Sequence, residues 1–123
     1  MSAPTLPAPA APAVLTKALL RAAQRLGLRH RELALILGTS EASISRLSSG
    51  RLVDPLSKEG ELAILFLRLF RSLDALVGGN EATARAWFSA PNDHLGGVPA
   101  ERIRRAEGLV DVVQYLDAMR GHL

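Results

Sequence analysis

Fourteen residues from Gly38 to Arg51, GTSEASISRLSSGR, contain three apolar residues among small polar ones and are charged only at Glu41, Arg46 and Arg51. If Ile44 and Leu47 are buried, Glu41, Ala42, Ser43, Ser45 and Arg46 share the opposite side of a short helix. Side chains that small let the backbone approach base edges, and Arg46 can make a bidentate contact to guanine. Thr39 or Ser40 can cap the start of the same helix, and Ser40 joins the DNA-facing set. His30, Ser49 and Arg51 are placed for phosphates. Catalytic chemistry has no comparable support. His30, His94 and His122 are far apart and lack carboxylates at metal-ligand spacing, and the chain has no cysteine. Asp54, Asp74 and Asp93 form no recognisable pair, and the glycines of VGGN and LGG lack the strand and lysine of a phosphate loop. Neither an enzyme, a cofactor nor a metal site is therefore expected.

The elements that must position these residues are read as all-α. Of the 123 residues, 48% are apolar and only 4% aromatic, and no stretch alternates usefully as a strand would. The longest apolar runs are too short for a bilayer, so no membrane partner is expected. The lack of cysteine suits a reducing cytoplasm. Residues 1–13, MSAPTLPAPAAPA, hold four of the seven prolines and read as a disordered, polyproline-like tail. Residues 14–58 read as the DNA-binding region, with helices over Val14–Leu26, His30–Leu37 and about Glu41–Ser48. Leu15, Leu19, Ala22 and Leu26 face inward from the first, and Leu33, Ala34 and Leu37 from the second. Two short helices joined by a glycine turn, the second lined with small polar side chains, make a helix-turn-helix.

Residues 59–123 read as a helical dimerisation and partner-binding domain. Residues 59–77 form the most apolar helix, with Leu62, Leu65, Leu69, Leu73 and Leu76 on one face and Ile64, Phe66, Leu67 and Phe70 on much of another. A helix apolar on two sides is central to a domain or lies in an oligomer interface, and here both are expected: its surplus face is covered in a homodimer or against the shared core, and a charge at Phe66 or Phe70 should monomerise or destabilise the chain. Asn80 caps a short helix through Phe88, a loop follows over residues 91–98, and further helices are expected from Pro99 to Ala106 and from Gly108 to Met119. The charge divides the same way. Residues 1–58 carry eight Lys/Arg against three Asp/Glu, and residues 59–123 carry seven against nine. The basic half suits a polyanion.

Within HRELALILGTSEASISRLSSGR the chain resembles the Xre and lambda-repressor-like helix-turn-helix families. Ala34 falls on the small crossing residue, Gly38 on the turn glycine, and Ile44 and Leu47 on the buried pair. It departs from them at Glu41 and Ala42, where glutamine or a basic residue is frequent, which implies fewer base contacts. Residues 87–123 resemble the toxin-binding domain of Xre/MbcA/ParS antitoxins through WFSAPNDHLGG, Pro99 with Glu101, the EGL of Glu107–Leu109, and YLDAMRG. The resemblance implies an antitoxin that represses its own operon and binds a RES-domain toxin that consumes or transfers from NAD. It implies toxin contacts from Trp87, Pro91, Asn92, Leu95, Glu107 and Gly121. In the last helix Tyr115, Leu116 and Met119 are expected to anchor on the toxin, with Asp117 and Arg120 projecting beyond them. A dimer is expected to bind operator double-stranded DNA as an inverted repeat with half-sites about 10 bp apart. The rival reading is a stand-alone repressor whose C-terminal helices only dimerise.

Overall fold

The computed structural model describes residues 11–121, and α1 (Pro12–Arg25) starts two residues before the expected Val14. Proline lacks the N–H that a first helical turn leaves unpaired, so Pro12 opens the helix without loss. Residues 1–10 of the expected tail lie outside the described residues. Thr16 is buried on α1 and satisfied twice: its hydroxyl donates to the Pro12 carbonyl (2.7 Å) and accepts from the Val53 N–H (2.9 Å). That second bond ties the connector after the helix-turn-helix back to the first helix.

The helix α2 (His30–Leu37) has the expected bounds, because both of its ends carry local signals. Glu32 Oε1 accepts from the Arg29 N–H (2.9 Å) at the start. Gly38 takes φ +66° at the end, a left-handed conformation that a side chain disfavours, and lets the Thr39 N–H reach the Ala34 carbonyl (3.0 Å). Ser40 Oγ then accepts from the Ser43 N–H (3.0 Å) and caps α3 (Glu41–Leu47), whose Ile44 and Leu47 are buried. Ser48 is the residue after this helix, not its last.

The long α4 (Lys58–Leu76) lies at the centre, packing most extensively on α7 (Ala106–Gly121) and also on α1 and α2. Contact on more than one side explains why its burial does not follow the expected leucine stripe. Ala63, Phe66, Leu69 and Leu73 are fully enclosed, whereas Leu62, Leu65 and Leu76 are half-buried and Ile64 is exposed. Phe66 thus belongs to the interior and not to a surplus face. One apolar core runs through both halves, joining Leu19 and Leu33 to Phe66, Phe88, Leu109 and Leu116. A second link between the halves is Arg85 of α5 (Glu81–Ser89). Its Nε donates to the Arg25 carbonyl (2.9 Å) and one terminal nitrogen to the Gln24 carbonyl (3.0 Å), at the end of α1. A cation there satisfies carbonyls that the helix leaves open.

Two helix bounds in the C-terminal part differ from expectation. The helix expected to run from Pro99 to Ala106 stops as α6 (Pro99–Arg102), and α7 begins at Ala106 instead of Gly108 and extends to Gly121. Fully buried Ile103 plugs the turn between them, and Arg104 and Arg105 donate to the carbonyls three residues back, which closes α6. Gly108 makes the tight turn possible: a Cβ there would collide with the Arg102 carbonyl oxygen. Among the described residues there is no β-strand, only an isolated bridge between Asn92 and Gly97. Among them also no helix is long and apolar enough to cross a membrane, and no cluster of potential metal ligands occurs.

Candidate DNA and toxin interfaces

With Ile44 and Leu47 buried, α3 presents Glu41, Ala42, Ser45 and Arg46 to solvent and leaves Ser43 half-buried. The Arg46 side chain has no ion-pair partner among the described residues, so it is available to a groove. His30 is exposed as the first residue of α2, and Ser49 is exposed just after α3. Ser40 is occupied by the cap it provides.

Arg51 requires a correction. Expected as a phosphate contact, it is turned back onto the protein, with one N–H of each guanidinium nitrogen engaged there. Its Nε donates to the Ser43 carbonyl (3.0 Å), and its two terminal nitrogens donate to Glu59 Oε1 and Oε2 (2.9 Å each). The hydrogen bonds to Glu59 hold the guanidinium pKa above its ordinary value, against the opposing effect of burial. A fork of this kind fixes orientation as well as distance, so Arg51 sets the angle of α3 against α4. Arg51→Ala is expected to lower stability by about 2 kcal/mol, since Glu59 is left half-enclosed without its partner. It should leave the slope of log K against log[salt] for duplex DNA unchanged, because no phosphate contact is lost. Chemical denaturation and salt titration of DNA binding check the two parts.

The second candidate surface is built by α5, the loop after it and α7. Trp87 and Tyr115 stack with ring centroids 6.3 Å apart and an interplanar angle of 16°, and His94 lies against the same Tyr115 at 5.8 Å and 30°. The three rings form a row, half-buried at Trp87 and Tyr115 and exposed at His94. Asn92 makes the loop that carries His94: its backbone N–H and carbonyl pair with Gly97 (2.9 and 3.2 Å), and its Oδ1 accepts from the Leu95 N–H (3.1 Å). Beside the row, Arg102 donates to Asp111 Oδ2 (2.6 Å), and His94, Arg102, Asp111, Gln114 and Tyr115 border a shallow cleft. His94, Arg102 and Asp111 escaped the sequence reading because nothing in their spacing shows that α6, α7 and the loop converge.

Several residues expected to touch a toxin are committed elsewhere. Leu95 and Leu116 are core residues, 7% and 1% exposed, and support the surface from beneath. Asp117 does not project past the end of the helix. It turns back onto α4, where it pairs with Arg68 and accepts from the buried Ser72 hydroxyl (2.8 Å). Arg120 donates to the same Ser72 oxygen (3.2 Å). The helix end is thereby held against α4 by a polar network, since a buried hydroxyl is costly to leave unpaired. Pro91, Glu107, Met119 and Gly121 are exposed, with Glu107 loosely paired to Arg105 (3.3 Å).

The model of the antitoxin Xre-like helix-turn-helix domain matches residues 6–68, more than half of the chain. The chain belongs to the Xre-like antitoxins. The model of the antitoxin Xre/MbcA/ParS C-terminal toxin-binding domain matches residues 72–121 of the same antitoxin. The three residues between the matches fall inside α4. Among solved structures, the antitoxin is similar to a chain in the crystal structure of the M. tuberculosis MbcT–MbcA toxin–antitoxin complex. The identity is 26%, the likeness covers 89% of this chain and 96% of that one, and the TM-score is 0.67. No curated protein sequence matches it.

Proposed function

We propose that this antitoxin neutralises a RES-domain, NAD-consuming toxin by direct binding through α5, residues 91–98 and α7. We further propose that a homodimer of it represses its own operon by placing α3 in the major groove of operator DNA. The observation that carries the reading is one chain with two separate exposed faces: the small, polar α3 face with Arg46, and the Trp87–Tyr115–His94 row in the region matched to a toxin-binding domain. A reader of base pairs needs short side chains and an unpaired arginine. A protein anchor needs large, rigid, partly exposed rings, which dominate binding at interfaces. Each face has one of these compositions and lacks the other. Both roles work by binding, and both place the protein where operator and toxin are, in the cytoplasm.

Two substitutions should separate the roles. Arg46→Ala removes a base contact and is expected to cost about 1–3 kcal/mol of operator binding and to relax one position of the site, with neutralisation intact. Trp87→Ala should weaken toxin binding by about 2 kcal/mol or more and leave operator binding alone. Growth on co-expression with a RES-domain toxin, together with a promoter reporter, scores both. Unchanged operator affinity in Arg46→Ala would remove α3 as the reading helix. A RES-domain neighbour that is harmless by itself would favour the stand-alone repressor.

A further inference from the structure

A second basic site lies apart from the recognition helix, in the groove between α1 and α4. Its floor is apolar, made by Ala18, Ala22, Leu67 and Phe70, with Val14 at its edge. Its rim carries four cations: Lys17, Arg21 and Arg25 from one stripe of α1, and Arg71 from α4. All four are exposed, and none pairs with a carboxylate among the described residues. Most of the remaining arginines of α4–α7 do have such partners: Arg68, Arg85, Arg102 and Arg105. Arg25 also lies over the Phe70 ring, 5.8 Å from its centroid, so the aromatic floor and the charged rim meet at one point.

The shape of the groove selects its occupant. From Lys17 to Arg25 the stripe repeats every four residues, about 6 Å per step along the helix axis, and spans about 12 Å. A partner helix with Asp or Glu at i, i+4 and i+8 has the same repeat, and its adjoining apolar face would cover the floor. We propose that this groove binds an acidic amphipathic helix of a partner protein. A phosphate backbone fits less well, because it has nothing to place against Phe70, Leu67 and Val14. The hydroxyl and amide side chains that usually accompany phosphate contacts are also missing from the lining. Position agrees with this. Leu67 and Phe70 lie about 12 and 16 Å along α4 from Glu59, the residue that anchors the recognition helix. The occupant can therefore be held while α3 reads DNA.

The test uses the full chain and a fluorescein-labelled 16-residue helical peptide with Glu at every fourth position and Leu and Ala on the adjoining face. A control peptide has the same composition with the faces scrambled. In fluorescence anisotropy the patterned peptide should bind at least about tenfold more tightly than the scrambled one. The Arg21→Glu/Arg25→Glu double variant should abolish that preference and Phe70→Ala should reduce it, while Arg46→Ala leaves it unchanged. Circular dichroism verifies that the variants fold. Equal binding of the two peptides, or none, overturns the proposal. So does competition by non-operator duplex DNA that depends on Arg21 and Arg25, which would make the groove a phosphate track.

Discussion

Phe66→Glu is expected to abolish folding, not to yield a folded monomer. Phe66 is 0% exposed and sits where α4 meets the helices around it. Truncating a buried phenylalanine costs about 3–5 kcal/mol by itself, and a carboxylate in its place must be desolvated without a cation or donor to receive it. The total, about 5 kcal/mol or more, reaches the entire stability of many domains of this size. Far-UV circular dichroism should show lost helix at 25 °C, whereas Phe66→Leu should keep the helical spectrum with a lowered melting temperature. Phe70→Glu should fold, because Phe70 is only half-buried at the α1/α4 groove. A Phe66→Glu chain with native helicity would contradict the shared core. The same geometry relocates the apolar surface open to a second copy. Among the described residues the exposed large apolar side chains are Val14, Leu35, Leu52, Leu56, Ile64, Val110 and Met119, not the phenylalanines.

Removing residues 118–123 should leave a folded chain that binds DNA as before and no longer protects against the toxin. Met119 is 45% exposed, and Ala118, Arg120 and Gly121 are also at the surface, so the deletion takes little from the core. Besides backbone bonds of the last helical turn, among the described residues it takes the side-chain bond from Arg120 to Ser72, and Ser72 keeps its bond to Asp117. The expected loss of stability is therefore about 1 kcal/mol. The expected loss of function is much larger, because the end of α7 is held against α4 in one orientation and can dock on a partner at little ordering cost. Growth rate and cellular NAD level under co-expression measure the effect. Full protection by the shortened chain would move neutralisation to the Trp87–Tyr115–His94 row alone.

Much of this protein was legible in its residues because the relevant signals are local. Gly38 and Ser40 bound the two helices of the DNA-reading unit within a few residues, and the spacing of Ile44 and Leu47 told which side of α3 faces inward. Asn80 likewise caps α5 through the Thr83 N–H, as its position before the helix implies. The family resemblance rests on short stretches as well, in the helix-turn-helix and in residues 87–121. Other features were decided only when helices distant in sequence met. Periodicity shows that α4 is apolar on two sides but not which side is interior, and the packing of α1, α2 and α7 chose Phe66 over Leu62. Arg51 has the composition of a phosphate contact, yet Glu59, across the connector, claims it. Asp117 looks like a projecting group, and Arg68 and Ser72, more than forty residues earlier, draw it back. The sequence alone determined where α2 starts and stops, where α3 and α5 start, and which residue types each helix carries, because caps and glycine turns act within one turn of backbone. The tertiary structure decided which charges remain free, because a charge is spent wherever an opposite one is brought within hydrogen-bonding reach, and no local pattern records that distance.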